Sequence, residues 1–502
     1  MDQILRISEK DTAGVALFPL HAGTTAFFSG TGILVCTEVP AGHKIALCTI
    51  RKGEPVIKYG FPIGEATEDI PAGAHIHTHN LKTLLKGAAD YTYHPLTIKP
   101  PAPAEPASFF GYQRKYGRPG IRNELWILPT VGCVNDIAER LAETGRQLLR
   151  EEAAFLKNHA IDGVYAFPHP YGCSQLGDDQ ENTRQILADL AVHPNAGGVL
   201  VLGLGCENSG IEEIRKRLPA HDAARIRFLK CQDVADELAE GKKLLKVLLS
   251  LMAEDQRTEQ RASELVVGLK CGGSDGFSGI TANPVIGRFS DLLTVMGGTT
   301  ILTEVPEMFG AETILMDRCR NRELFEKTVH LINDFKEYFE KSGMPVYENP
   351  SPGNKAGGIT TLEDKALGCT QKSGTAPVMG VLTYGERVSE HGLNLLSAPG
   401  NDLVSSTALA AAGAQLVLFS TGRGTPFGCP VPTLKLSSNT ELASHKRSWI
   451  DFDAGRLLTG MTAAALGEDL LKTVLDTASG KASKNEENGY RGIAIFKNGI
   501  TL

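Results

Sequence analysis

From about residue 109 onward, short apolar runs alternate with segments of helical pattern, and the apolar runs end in glycine-rich, polar clusters. Examples are the runs NELWILPTV, GGVLVLGLGC and SELVVGLKCGG. Strands that alternate with helices predict mainly parallel sheets covered by helices on both faces. Because such sheets place their ligands at the carboxyl ends of the strands, we expect the functional residues in these clusters.

The chain is predicted to be an α/β multidomain protein whose N-terminal domain is β-rich instead. Residues 1–95 contain short strand-like runs separated by turn residues and are expected to form a β-rich domain. Residues 96–108 include Lys99–Pro106, with four prolines in eight residues, and predict an extended linker. Residues 109–370 are expected to form an α/β domain, and residues 371–502 a C-terminal, Rossmann-like α/β domain.

Charge and composition exclude several classes of protein. The formal net charge is −7 at pH 7, and no cluster of Lys and Arg is present, so we expect no nucleic-acid partner. The N-terminus carries charges where a signal peptide would be apolar, and no apolar run approaches the roughly 18 residues of a membrane span. We therefore expect a cytoplasmic protein without a membrane partner, whose ten cysteines are not disulfides.

Three histidines alternate in the segment AHIHTHN. On a strand, His75, His77 and His79 would share one face. Three imidazoles on one face suit a transition metal. The alternative is an exposed polar strand face or a polar contact with the next domain.

Four cysteines follow apolar runs or tight glycine turns: Cys133, Cys173, Cys206 and Cys271. If their strands are neighbours in one sheet, the thiols converge at its carboxyl edge. Thiolates suit iron, zinc or an iron–sulfur cluster. No CxxC spacing is present, so small side chains packed in tight turns stay an alternative.

Three further loops carry candidate substrate-binding groups. In CGGSDGFSGITANP, backbone N–H groups and a following helix predict an anion site, and the missing GxGxxG and Walker patterns argue against NAD. In the glycine-rich segment 351–365, Lys355 is a candidate for binding a carboxylate or acting as a base, unless the loop is merely solvated. Arg423, after a buried strand, can hold a carboxylate bidentately, unless it forms a structural ion pair.

These motifs, in this order, resemble those of the altronate/galactarate dehydratase family. The matching segments run from AGHKIAL at residues 41–47 to WIDFDAG at residues 449–455 and include GRPGIRNELWILPTVGC, YGCSQLGDD, CGGSDGFSGITANP, LTEVPEMFGAE, NPSPGNKAGGITTLEDK and STGRGTP. The resemblance implies an N-terminal SAF (β-clip) domain and a hydro-lyase that uses Fe²⁺, with manganese as an alternative. The implied reaction converts D-altronate to 2-dehydro-3-deoxy-D-gluconate and water, in hexuronate catabolism. A galactarate dehydratase, a sulfolactate lyase or a non-catalytic sugar-acid binding protein are the alternatives.

That chemistry assigns expected roles to the candidate residues. Removing a proton next to a carboxylate needs a base and a group that stabilises the developing charge. The catalytic candidates are Lys355, Asp275 and His77. The substrate-binding candidates are Arg423, Ser274, Gly272, Gly273 and Asn354. The metal ligands are expected to be Cys133, Cys173, Cys206 and Cys271, and the alternative set is His75, His77 and His79. The metal centre is either a mononuclear iron or an iron–sulfur cluster. The expected partners are a small sugar acid and, as an assembly to test, a second copy of the chain.

Overall fold

A computed structural model describes residues 2–98, 105–152 and 160–502. Residues 99–104 of the predicted proline-rich linker lie outside the described residues. Together, the described residues form a β-rich unit followed by two units with parallel sheets. The predicted fold class is confirmed. In the described part of the chain, no helix has both the length and the apolar character needed to cross a bilayer.

The N-terminal unit consists of short antiparallel strands joined by tight turns. Its strands are β1 Ile4–Leu5, β2 Ala13–Ala16, β3 Thr25–Phe28, β4 Thr31–Leu34, β5 Lys44–Ala46, β6 Pro55–Lys58, β7 Phe61–Ala66, β8 His75–Ile76 and β9 Leu81–Lys82. They form sheets in the orders β1-β2-β5-β8, β6-β7-β9 and β3-β4. One of the two apolar clusters of this unit includes Ala366 and Leu367 from the C-terminal unit, so the two units share buried surface.

The second unit is a four-stranded parallel sheet in the order β12-β11-β13-β14. Its strands are β11 Glu124–Pro129, β12 Gly163–Ala166, β13 Ala196–Gly203 and β14 Ile226–Lys230, and its helices are α1 Asn135–Glu151, α2 Gly177–Ala191, α3 Ile211–Arg215 and α4 Glu237–Met252. An antiparallel pair, β10 Ser108–Tyr112 with β15 Arg257–Arg261, brings the two ends of this unit together.

The third unit contains a seven-stranded parallel sheet in the order β18-β19-β17-β16-β20-β21-β22. Its strands are β16 Val266–Cys271, β17 Thr299–Leu302, β18 Val378–Leu382, β19 Gly392–Leu396, β20 Leu416–Thr421, β21 Thr433–Ser437 and β22 Phe452–Asp453. Its helices are α5 Ala282–Val295, α6 Glu312–Met316, α7 Arg322–Lys341, α8 Pro352–Ala356, α9 Leu362–Cys369, α10 Asp402–Ala411, α11 Thr440–His445, α12 Ala463–Ala478 and α13 Lys484–Glu487. The domain boundary predicted at residue 370 falls inside this sheet, because β16 and β17 precede it and the other five strands follow it.

The centre of this sheet determines where a ligand can bind. Every residue of β16 and of β20 is buried, as expected for strands covered on both faces. Strands β17, β19 and β18 lie on one side of β16, and strands β20, β21 and β22 lie on its other side. The strand order therefore reverses between β16 and β20, where α/β sheets open a crevice for ligands.

Candidate active site

The loop that follows β16 is attached to the ends of β20 and β21. The Gly272 N–H donates to the Ser420 carbonyl at 3.0 Å, and the Gly273 carbonyl accepts the N–H of Arg423 at 3.0 Å. The position of Arg423 next to the CGGSD segment is thus set by backbone hydrogen bonds. The predicted anion loop and the predicted arginine share one end of the sheet.

Asp275 anchors this loop. Its buried carboxylate accepts hydrogen bonds from the Ser438 hydroxyl at 2.8 and 2.9 Å, from the Ser278 N–H at 2.9 Å and from the Asn439 amide at 3.2 Å. Burial raises the pKa of Asp275, and these donors counteract the rise. The carboxylate is therefore occupied in holding the loop to the residues after β21.

Ser274 and Asn354 connect the loop to helix α8. The Asn354 amide donates to the Ser274 carbonyl at 2.8 Å, and the Asn354 side-chain oxygen accepts from Lys365 at 3.3 Å. The Ser274 hydroxyl is buried and has no hydrogen-bond partner within the described residues. A buried hydroxyl without a partner is costly, so this group fits a ligand that would complete its bonding.

Two cations at the opening of this crevice are available for an anion. Arg423 is exposed, and its guanidinium donates to the Gly353 carbonyl at 3.4 Å. Lys355 is half-buried on α8. Among the described residues neither side chain forms an ion pair. The structural ion pair considered for Arg423 is therefore not seen, and neither positive charge is neutralised by a described carboxylate.

The N-terminal unit lies against these loops through Gly42. A Cβ atom at Gly276 would clash with the Gly42 carbonyl, so only glycine allows this close approach. The Gly276 N–H also donates to the Gly357 carbonyl at 2.7 Å. The crevice is therefore closed on one side by the N-terminal unit.

Four imidazoles meet at this contact between the units. His43 Nδ1 is 3.0 Å from His75 Nε2, and the ring centroids of His43 and His77 are 5.1 Å apart. The His75 and His79 centroids are 5.7 Å apart. Sequence reasoning missed His43, which precedes β5 and comes to this place only because β5 pairs with β8.

The three alternating histidines do not lie on one strand. Strand β8 ends at Ile76, because Asn80 folds the chain into a turn by accepting from the His77 N–H and donating to the His75 carbonyl, both at 2.9 Å. The expected strand face over His75, His77 and His79 is wrong, although the turn keeps the rings together.

Three of these imidazoles, those of His43, His75 and His77, are held in the neutral form chiefly by burial. Burial, reinforced by the neighbouring imidazoles, lowers the pKa of His75 to about 3. Burial and the nearby Lys44 ammonium lower the pKa of His77 to about 4, and burial also lowers the pKa of His43. The C-terminal unit orients the rings: the Thr360 hydroxyl is 3.1 Å from His77 Nδ1, and the Ala356 carbonyl is 3.3 Å from His43 Nε2. Neutral, oriented imidazoles are the form that binds metal ions.

The four cysteines predicted as one ligand set lie in two different units. Cys133, Cys173 and Cys206 follow β11, β12 and β13 of the four-stranded sheet, whereas Cys271 ends β16 of the seven-stranded sheet. The strands that precede these cysteines are therefore not neighbours in one sheet. The condition for a common four-thiol site is not met.

Cys271 instead lies beside residues that sequence reasoning did not select. Its sulfur is 3.4 Å from the Cys369 sulfur, and the two are 3.1 and 3.2 Å from Glu307 Oε2. Within the described residues, these three are the group whose potential ligand atoms all lie within 4.8 Å of one another. Glu307 and Cys369 come from segments far apart in sequence, and no local spacing signals their contact.

This group belongs to a network of three lysines and three carboxylates, all buried except the partly exposed Asp402. Its ion pairs are Lys270 with Asp402 and with Glu304, Lys365 with Glu307, and Lys372 with Glu304. Burial opposes ionisation of Glu307, but the ammonium groups, Lys365 foremost, hold its pKa well below the usual range. The charges balance without a metal ion.

Family profiles match the three units in turn. They are described as "Altronate/galactarate dehydratase SAF domain" for residues 2–84, "D-galactarate dehydratase/Altronate hydrolase, second domain" for residues 111–253, and "D-galactarate/Altronate dehydratase, C-terminal" for residues 262–501. The first confirms the SAF domain expected at the N-terminus. The second profile covers the four-stranded sheet and the third covers the seven-stranded sheet.

Full-length relatives agree with these profiles. The altronate dehydratases of Escherichia coli (strain K12) and Bacillus subtilis (strain 168) are 53% and 52% identical to the chain, and each alignment covers 100% of both chains. The galactarate dehydratase (L-threo-forming) of Escherichia coli (strain K12) is 34% identical over 95% of this chain and 93% of its own length. The chain belongs to the altronate/galactarate dehydratase family.

Proposed function

We propose that the chain is a hydro-lyase that converts D-altronate to 2-dehydro-3-deoxy-D-gluconate and water. The observation that carries this proposal is the identity of 53% and 52% with two altronate dehydratases over the whole chain, against 34% with a galactarate dehydratase. The crevice between the SAF domain and the seven-stranded sheet supplies groups suited to this reaction.

The substrate carboxylate is assigned to Arg423 and the CGGSD loop. Arg423 offers a planar pair of N–H donors without a competing ion pair in the described part of the chain, and the buried Ser274 hydroxyl lacks a partner there. Asn354 and Asp275 hold these groups in place through the hydrogen bonds they make to the loop. Binding the carboxylate fixes the adjacent C2–H bond relative to the remaining side chains.

Proton removal from C2 is assigned to Lys355. Its half-buried side chain makes no ion pair among the described residues. An amine that has lost its proton can accept the C2 proton, and loss of the C3 hydroxyl with that proton forms water. The enol that remains becomes the 2-keto acid. Asp275 contributes to this step by holding the loop in place, because its carboxylate already accepts hydrogen bonds from Ser438, Ser278 and Asn439.

We assign the Fe²⁺ or Mn²⁺ ion that the family resemblance implies to the imidazole cluster, whose rings would have to turn to bind one ion, because no three of their nitrogens lie within 4.8 Å of one another. His43, His75 and His77 provide neutral nitrogen donors, and imidazole suits iron. The group of Cys271, Glu307 and Cys369 fits a dication less well, because its carboxylate is paired with Lys365 at 2.7 Å inside a charge-balanced network. When bound, such an ion supplies Lewis-acid stabilisation of the developing enediolate.

A substrate panel tests the proposed function. Purified protein with added Fe²⁺ or Mn²⁺ would be assayed for 2-keto-3-deoxy acids on D-altronate, galactarate and related aldonates. We expect a higher kcat/KM on D-altronate than on galactarate. An equal or higher value on galactarate would contradict the substrate, and binding of D-altronate without any keto-acid product would contradict the activity.

A further inference from the structure

Three cysteines of the second unit lie at one edge of its parallel sheet. Cys133 follows β11, Cys173 lies in the loop after β12, and Cys206 follows β13. Strand β11 pairs with β12 on one side and with β13 on the other, and all pairings are parallel. The three loops therefore leave the sheet side by side at its carboxyl edge.

Backbone contacts hold the three loops together. The Gly132 N–H donates to the Tyr171 carbonyl at 3.0 Å, and the Ser209 N–H donates to the Gly172 carbonyl at 3.1 Å. A Cβ atom at Gly172 would clash with the Thr130 carbonyl, so this close packing requires glycine. The cysteine that follows Gly172 thus lies in the middle loop of three that are in contact.

All three thiols are free and exposed. The Cys173 sulfur lies 3.8 Å from the Asn208 amide oxygen, and the Cys206 sulfur accepts from the Gln232 amide at 3.7 Å. Free cysteines are among the residues most often buried, so three exposed ones on adjacent loops are not explained by core packing.

Unsatisfied polar atoms lie in the same loops. The Ser209 hydroxyl and one Gln175 amide nitrogen are buried and have no hydrogen-bond partner within the described residues. Native proteins rarely leave such atoms without a partner. These two atoms lie on the loops that carry Cys173 and Cys206 and are free to bond to a further group.

We propose that Cys133, Cys173 and Cys206 bind an iron–sulfur cluster. A single metal ion with a metal–sulfur bond of about 2.3 Å needs its thiolates within about 4 Å of one another. Within the described residues these three sulfurs do not form a set lying within 4.8 Å. In a cluster each cysteine binds a different iron atom, so the sulfurs of its cysteine ligands lie farther apart than those around a single ion.

The chemistry of such a site is simple to balance. Each of the three thiols loses its proton as its sulfur binds iron, and iron and inorganic sulfide come from outside the chain. Three thiolates leave one iron of a four-iron cluster without a protein ligand.

The test measures iron and acid-labile sulfide rather than activity. Protein purified anaerobically and reconstituted with ferrous iron and sulfide should contain about four of each per chain and show a broad visible absorption. Cys173→Ala should lower the sulfide content by about tenfold or more, since the cluster would keep two protein ligands. Cys48→Ala removes another exposed thiol, in the SAF domain, and should leave both contents unchanged.

Two results would overturn the cluster. One is iron without labile sulfide; the other is equal sulfide in Cys173→Ala and the unaltered protein. Circular dichroism of each variant checks that folding is retained, and Cys133→Ala and Cys206→Ala repeat the test at the other two ligands. Because no sugar acid enters these measurements, their outcome is independent of the proposed dehydratase activity.

Discussion

At residue scale, Arg423 gives the clearest test of carboxylate binding. Lys keeps the positive charge but lacks the planar pair of donors, so Arg423→Lys should lower kcat/KM on D-altronate by roughly tenfold to a hundredfold. The unfolding midpoint should hardly change, because Arg423 is exposed. Arg447→Lys, a control at another exposed arginine of the same unit, should keep full activity. Unaltered kinetics in Arg423→Lys would remove this side chain from the substrate site.

The imidazole cluster can be separated from the buried thiols by titration with Mn²⁺. His77→Ala should weaken Mn²⁺ binding by more than about tenfold, because it removes a neutral nitrogen donor. Cys369→Ser should leave the affinity unchanged, as should His21→Ala at an exposed histidine of the same domain. The opposite pattern, with binding lost in Cys369→Ser and kept in His77→Ala, would move the metal to the thiol group.

Much of the candidate site could be predicted from local motifs, because the residues that meet at the crevice lie in glycine-rich loops after strands. Arg423, Ser274 and Asn354 were selected in this way. His43 and Glu307 were not, since each approaches the site only through pairing between distant segments. Spacing along a chain carries no information about such contacts.

At the scale of elements, the loop between α2 and β13 joins the two parallel-sheet units. His193 is buried there, with Nε2 3.1 Å from the Ala414 carbonyl, and the Asn195 amide donates to the Gln415 carbonyl at 2.8 Å. Burial lowers the pKa of His193 from 6.5 to about 3. The unfolded chain therefore binds a proton below pH 6.5 that the folded chain does not, and stability falls as the pH decreases.

Thermal unfolding at two pH values measures this contribution. Between pH 6.5 and about 4.5, His193 should account for roughly 2–3 kcal/mol of lost unfolding free energy. His193→Gln should therefore show a smaller decrease in unfolding midpoint over this range than the unaltered protein. His330→Gln, at an exposed histidine, should keep the original decrease. Equal pH dependence in His193→Gln and the unaltered protein would exclude His193 as the cause.

Element types were predictable from periodicity, whereas the way elements assemble was not. The apolar runs at β11, β13 and β16 indicate buried parallel strands, and these strands exist. The pattern near residue 370 resembles a new βαβ unit, yet its strands join β16 and β17 in one sheet. The sheet that a strand joins depends on which strand edges pair, and apolar runs of similar pattern can pair in several ways.

At the scale of the whole molecule, one carboxylate ties the SAF domain to the C-terminal unit. Asp364 accepts from Lys44 at 2.8 Å and from Lys58 at 2.9 Å, and all three side chains are buried. Burial lowers the pKa of Lys44 to about 8 in spite of Asp364. The same carboxylate, working against burial, keeps the pKa of Lys58 raised. The two ammonium groups of one domain thus depend on a single acid of the other.

Removing that acid should destabilise the whole molecule. Asp364→Asn leaves two buried ammonium groups with a neutral partner, which should cost about 3–5 kcal/mol of unfolding free energy. Asp69→Asn breaks an exposed ion pair with Arg51 and should have little effect. Denaturant unfolding of both variants measures the difference. Equal midpoints for the two would show that the buried pair does not hold the domains together.

We assign the reaction to the crevice between the SAF domain and the seven-stranded sheet. Anomalous scattering at the manganese edge, from crystals grown with Mn²⁺, tests it most directly, since Mn²⁺ at the imidazoles would place the reacting centre beside Arg423 and Lys355. We expect the strongest peak among the rings of His43, His75 and His77. A peak at Cys271, Glu307 and Cys369 with none at the imidazoles would contradict this assignment.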